Sequence, residues 1–200
     1  MRPTHCLAVV FAVCLLAGLS RGALTQEATP AGDFVTPDPS ECRIEPRTIE
    51  SVIVLTGTPV PTPPAIPSLE GGEPASAAVA AGVTAVARES VACFNAGDFL
   101  RQFAFYTDAA ILAIMPPGLT AEDLTDFLGT PPQPLPEEGR ESVAVRDVMV
   151  LPGGRVTAYF LMRNPEGTFT TFVTLEERGD GYVITSDIDF AAEFTTPAAA

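Results

Sequence analysis

Residues 141–190 read ESVAVRDVMVLPGGRVTAYFLMRNPEGTFTTFVTLEERGDGYVITSDIDF, and the rest of the chain is arranged as cover for them. Four runs rich in Val, Phe, Tyr, Ile and Thr stand out: Ser142–Leu151, Arg155–Asn164, Thr168–Glu177 and Tyr182–Phe190. Pro152-Gly153-Gly154, Pro165-Glu166-Gly167 and Arg178-Gly179-Asp180-Gly181 part them. β-Branched and aromatic runs between Gly and Pro turns predict antiparallel strands joined by tight hairpins. Side chains alternate along a strand. In the second run Val156, Ala158, Phe160 and Met162 therefore share one face, and Thr157, Tyr159, Leu161 and Arg163 the other. In the third, Phe169, Thr171, Val173 and Leu175 oppose Thr170, Phe172, Thr174 and Glu176. A four-strand meander with a greasy face needs a second layer laid across it.

The segments before the meander supply that layer. Residues 73–95 (EPASAAVAAGVTAVARESVACFN) predict a long helix, with Val79, Val83, Val86, Ser90 and Phe94 on one stripe. Pro74 suits its first turn and Gly97 its stop, while Gly82 in its middle costs about 1 kcal/mol relative to Ala. Asp98 offers an N-cap for a second helix, Phe99–Thr107, which buries Leu100, Phe103 and Tyr106. Ala110–Met115 is a short apolar run and predicts a strand at the sheet edge. Thr120 and Asp123 open a third helix, Ala121–Leu128, closed by Gly129. A proline-rich crossing, Thr130–Arg140, then leads to the sheet.

Residues 1–22 read as a secretory signal peptide. Arg2 gives the positive end, Cys6–Leu19 the apolar core, and Ser20-Arg21-Gly22 the small residues of a cleavage point. The core holds 14 residues, short of the ~20 that span a bilayer as a helix; an uncleaved anchor is the alternative. Residues 23–40 read as a flexible tether, 41–73 as a short docking segment followed by a proline-rich linker, 74–192 as the domain, and 193–200 as a frayed tail. The expected location is therefore secreted or extracytoplasmic, with membrane contact only through the leader.

The chain carries 25 acids against 11 basic residues, a net charge of −14, and every basic residue is Arg. Loss of residues 1–22 would leave nine Arg and a net −16. So acidic a surface repels nucleic acid, and no basic patch offsets it. Two Cys fall in the leader, leaving Cys42 and Cys93. An even pair in an exported chain predicts a disulfide, the alternative being two separate thiols. The bond would tether the island of residues 41–55, whose Ile44, Ile49, Val52, Ile53 and Leu55 can dock on a core. Closing a loop of that size stabilises by roughly 4 kcal/mol in the loop-entropy account.

Long helix, Asn95-Ala96-Gly97-Asp98 break, second helix, short strand, small helix and bent meander: in this order the chain resembles the nuclear transport factor two-like superfamily, also called SnoaL-like or cystatin-like α+β. Residues 91–100 (VACFNAGDFL) and the closing strands carry the resemblance, which covers about residues 75–190. It implies an α+β fold in which a curved antiparallel sheet wraps a long N-terminal helix as a cone around a pocket. Such folds host isomerases, cyclases, dehydratases, adaptors and inert modules, so activity must be argued from the site. Family enzymes use an acidic base or an Asp–His pair inside the cone, with Tyr or protonated Asp polarising a carbonyl.

The only His is His5, in the leader, and there is no Lys. That removes Asp–His dyads, Schiff bases, Ser–His triads and His-based metal sites from the mature chain. No metal and no cofactor is implied. Carboxylates and tyrosines remain, and a base needs an apolar wall to raise its pKa. Asp98 reads as an N-cap and Asp108 as a helix-end residue; Asp187 and Asp189 alternate with Ile188 and are expected to face outward. Asp147 would turn inward if a bulge shifts its register. Tyr106 and Tyr159 are the candidate electrophiles. A pocket would be lined, or plugged, by Phe103, Tyr106, Phe127, Tyr159, Phe160 and Phe172. Two readings follow: an exported non-catalytic binding or accessory module with a small apolar ligand, or an isomerase, cyclase or hydratase of a hydrophobic ketone using Asp147 or Asp108. The exposed sheet face leaves a homodimer open.

Overall fold

A computed structural model of the chain describes residues 33–58, 66–116 and 118–190. The expected leader, most of the tether, part of the linker and the tail lie outside these residues. The fold is α+β. Five antiparallel strands form one open sheet in the order β1 (Glu73–Pro74), β2 (Ser142–Val150), β3 (Val156–Asn164), β4 (Gly167–Arg178) and β5 (Gly181–Phe190). The four long strands match the four runs of the sequence. Their period of two is set by the core they bury: Val156, Ala158, Phe160, Val173, Leu175 and Ile184 face one way.

Against that face lies α2 (Ala77–Asn95), through Val83, Val86, Ala87, Val91, Ala92 and Cys93. It starts four residues later than the sequence suggests. Ser76 is its N-cap, accepting from Val79 N, and Pro74 belongs to β1 opposite Met149. Proline suits that place because an edge strand has no ladder partner on its outer side. Gly82 has a packing reason: a β-carbon there would stand 2.8 Å from Cε2 of Tyr182, whose ring crosses the helix.

The second helix is shorter than expected, α3 (Phe99–Gln102) followed by a 3₁₀ turn at Phe103–Phe105. Ala110–Met115 is not a strand. Residues Asp108–Ile114 form a helix, α4, capped by the Thr107 hydroxyl, which accepts from Ala110 N at 3.3 Å. A six-residue apolar run fits either state, and burial of Ile111 and Leu112 against a helical neighbour decides it. The third helix, α5 (Ala121–Gly129), follows the sequence, with Thr120 and Asp123 closing a reciprocal capping box.

The island docks as a helix, α1 (Ile49–Ile53), preceded by its own cap at Thr48. Val52 and Leu55 join Ile111, Leu112, Leu124 and Leu128 in a second core, apart from the one under the sheet. The disulfide Cys42–Cys93 ties the island to α2, as the Cys count predicts. It is not the only tie. Glu89 Oε1 accepts from Arg43 N (2.9 Å) and Ile44 N (2.7 Å), and Arg47 N donates to Leu100 O (3.1 Å). The described residues also begin within the expected tether. Val35 exchanges two backbone hydrogen bonds with Val143, and Arg163 stacks on the Phe34 ring at 3.8 Å.

Candidate functional site

Helices α3, α4 and α5 close over the second core and leave an apolar groove between them. Its main lobe is a hollow of about 470 Å3 floored by Leu124 and walled by Phe99, Phe103, Met115, Leu119 and Phe127. A second lobe of about 250 Å3 runs on past Phe94 to Pro131, Gln133 and Leu135, sharing Phe94, Phe99 and Phe127 with the first. The Phe99 and Phe127 rings meet at 4.8 Å and the Phe94 and Phe99 rings edge-on at 6.1 Å, so the junction is a three-ring cluster. Phe127 is 51 % exposed and Ile114 40 %, which turns apolar area to water at the groove's lip. Capping sets these walls. Asp98 accepts from Arg101 N at the start of α3, and the Thr120–Asp123 box fixes the start of α5.

A second constellation lies on the sheet face toward α2. Between Ile184 and Ser186, β5 carries one extra residue, Thr185, because Leu175 pairs with Ile184 and Thr174 with Ser186. Beyond this bulge the alternation is inverted. Asp187 therefore stands opposite Val173, half-buried on the face toward α2 rather than outward as the uninterrupted pattern predicts, while Asp189, opposite Thr171 on the same face, is exposed near the end of the strand. Thr171 Oγ1 donates to Asp189 Oδ1 at 2.7 Å, while Oδ1 of Asp187 is buried without a hydrogen-bond partner. Burial, with Asp189 alongside, pushes Asp187 up to about 6. Tyr106 reaches the same region: desolvation and then the charge of Asp187 raise its phenol well above the usual value, with the Ser90 side chain acting in the opposite direction. Glu141, raised by burial, borders this end of the sheet and accepts from Asn164 Nδ2 at 3.2 Å.

The two carboxylates nominated as bases are placed differently. Asp108 is paired with Arg47, whose Nη2 donates to Oδ1, on a polar hollow of about 550 Å3 that also meets Glu176, Glu177 and Arg178. Asp147 sits in the bulge of β2 between Arg146 and Met149, at φ +50°, and lines none of the hollows described above. The six nominated pocket residues divide among three places. Phe103 and Phe127 line the apolar groove. Phe160 is core beneath α2, with Tyr106 packed against that core. Tyr159 and Phe172 meet edge-on at 5.3 Å on the far face of the sheet, where Phe172 is buried. Among the described residues, no group of three His, Cys, Asp or Glu side chains could hold a metal ion.

No family model, no curated protein and no solved structure matches this chain. Sequence reasoning missed Phe94, Phe99 and Leu119 as groove walls; the Phe94–Phe99 pair straddling a helix break at Gly97 was the available signal. It also missed Asp187, whose placement depends on a one-residue bulge that the alternation of the run conceals.

Proposed function

We propose that this chain is an exported, non-catalytic binding or accessory module of the nuclear transport factor two-like kind, whose apolar groove takes a small apolar ligand. The observation that carries the reading is the two-lobed groove itself, with aromatic walls and exposed Phe127 and Ile114 at its lip. Its main lobe falls within the usual size of small-molecule sites, and its lining is apolar as such sites are. The long helix laid on an antiparallel sheet supports the family reading, and the Cys42–Cys93 bond supports an oxidising compartment. The test is titration with Nile red, a neutral apolar dye. The wild-type protein is expected to bind it, with affinity reduced at least tenfold by Phe127→Glu, a substitution at an exposed position that the core does not need. Absence of binding, or equal binding by the variant, would overturn the groove as the ligand site.

One observation favours the catalytic alternative, now with a different base. Asp187 is a half-buried carboxyl with one buried, unpartnered oxygen and a raised pKa near the Tyr106 phenol. A base and a proton donor so arranged suit proton abstraction beside a ketone. Asp187→Asn abolishing proton exchange at the α-carbon of a bound hydrophobic ketone would favour this reading over simple binding.

A further inference from the structure

We infer that the far face of the sheet, the one turned away from α2, docks an acidic segment of another protein, with Arg146 and Arg163 as its anchors. The inference is independent of the apolar groove and of the ligand proposed for it. The pleat sorts the charges of the meander. Glu177 opposite Tyr182, Asp187 opposite Val173 and Asp189 opposite Thr171 share the α2 face. Arg146 stands opposite Tyr159, and Arg163 lies four residues along β3 from Tyr159, so both belong to the far face. Glu176 and Arg178, two residues apart toward the end of β4, share that face and offset each other. The two anchors are 17 residues apart in sequence and form no basic run; pairing of β2 with β3 brings them onto one surface.

Arg146 decides the chemistry. Arg47, Arg88, Arg101 and Arg140 each pair with a carboxylate. Arg146 is half-buried, and its Nε is enclosed with no hydrogen-bond acceptor. Among the described residues its guanidinium has no acidic partner either, its neighbour Asp147 included. A cation taken partly out of water without a counter-charge is costly, and so is an enclosed N–H without an acceptor. One carboxylate meets both demands, because its two oxygens match Nε–H and an Nη–H side by side. Arg163 is exposed and stacked on the Phe34 ring at 3.8 Å, which leaves the edge of its guanidinium to a second carboxylate.

Spacing and net charge select the partner. Arg146 pairs with Tyr159 and Ser142 with Arg163, so the anchors stand four residues apart along β3, roughly 14 Å at the usual rise of a strand. An extended segment with acids at positions i and i+4 spans the same length, and its residue i+2 meets the half-buried Leu161 between them. A chain of net −14 is repelled by a polyanion or an anionic bilayer, whose charge is felt over a large area. Two carboxylates on a short segment meet chiefly the charges within a Debye length. An isologous pair through this face would bring arginine toward arginine.

The test titrates the 15N-labelled full chain at low salt with the blocked pentapeptide Glu-Thr-Val-Thr-Glu and follows amide shifts. Shifts are expected on β2 and β3 around Arg146 and Arg163. Arg146→Gln should weaken Kd by about tenfold, the loss expected of a charge-assisted pair. Arg163→Gln, at an exposed position, should weaken it several-fold and keeps the test open should the first variant fail to fold. The peptide with Gln in place of both Glu should not bind, and Glu-Glu-Thr-Val-Thr, with the acids adjacent, should bind several-fold more weakly. No shift at millimolar peptide, equal binding of the Gln peptide, shifts confined to another face, or unchanged binding by the folded arginine variants would overturn the inference. Retention on phosphatidylglycerol vesicles that Arg146→Gln abolishes would assign the face to a membrane and overturn it. A dimer that Arg163→Gln converts to monomer would assign the face to a second copy and overturn it too. Nile red binding should be the same in both variants, so failure here leaves the groove reading standing.

Discussion

The side-chain amide of Asn95 grips the backbone of Glu141 from both sides. Its Oδ1 accepts from Glu141 N at 2.8 Å, and its Nδ2 donates to Glu141 O at 3.0 Å and to Pro37 O at 3.1 Å. Asn95 is wholly buried at the last turn of α2, and its own carbonyl accepts from Leu135 N at 2.8 Å. One residue thus joins the end of the long helix, the segment leading into β2 and the N-terminal strap. Replacing it by Ala strands two backbone carbonyls and one N–H in a dry site. At about 1 kcal/mol for each bond lost, Asn95→Ala should lower unfolding stability by about 3 kcal/mol in urea titration. A loss below 1 kcal/mol would mean that water replaces the amide.

The disulfide and the polar ties of the island act on different states. Cys42–Cys93 restricts the unfolded chain, whereas Glu89 and Arg47 hold the folded island directly. Cys93→Ser should therefore lower the Tm and speed proteolysis around Ile44–Leu55 while α1 stays docked. Adding Glu89→Ala, which leaves Arg43 N and Ile44 N unpaired, should release the segment and raise its cleavage rate further. Equal proteolysis of wild type and double variant under non-reducing conditions would count against the island as a separately held unit.

The meander was legible because its signal is local. A period of two between Gly and Pro turns needs no knowledge of the rest of the chain, and strands β2 to β5 end within two residues of the runs read from sequence. The helical caps at Asp98 and Thr120 were legible for the same reason. What failed depended on distant partners. In the run Ala110–Met115, Ile111 and Leu112 share a core with Val52 and Leu55 of the island and Leu124 and Leu128 of α5, partners that the run itself does not carry. Asp187 turned inward because of a single extra residue, Thr185, that no propensity marks. Asn95 looked like an ordinary polar residue at a helix break; its role comes from Pro37 and Glu141, 58 and 46 residues away. The groove was half legible: Phe103 and Phe127 were nominated, but placed within a cone rather than between α3, α4 and α5.

Gly97 combines two constraints that a β-carbon cannot meet together. Its φ is +66°, and a β-carbon would stand 2.5 Å from the Gln133 carbonyl oxygen, a backbone atom that cannot swing aside. The left-handed conformation alone costs a non-glycine residue on the order of 1 kcal/mol, and the clash adds to it. Gly97→Ala should lower the Tm by several degrees and perturb the smaller lobe of the groove, which Gly97 and Gln133 both line. Undiminished Nile red binding by a destabilised variant would show that the two effects are separable.

The half-buried acid on β5, Asp187, gives the protein an acid-leaning stability profile. Asp187 titrates at about 6 in the folded chain, against an ordinary value of 3.8, because burial disfavours its charge and Asp189 stands beside it. Between those values the folded chain holds a proton that the unfolded chain has released, so stability falls as pH rises through that window. The loss from this group by pH 7 is on the order of 3 kcal/mol. Glu141, raised by burial, slopes the same way. Asp38 and Asp123, held low by hydrogen bonds from Ser40 and Thr120, slope oppositely, and their contribution is lost only as pH falls below the ordinary carboxylate range. The urea midpoint should accordingly be higher at pH 5 than at pH 7.5, and Asp187→Asn should remove most of that difference while raising stability at pH 7.5. Were the wild-type protein more stable at pH 7.5, or the slope unchanged in the variant, Asp187 would have to be solvated and ionised in the fold, and its inward placement beyond the Thr185 bulge would be wrong.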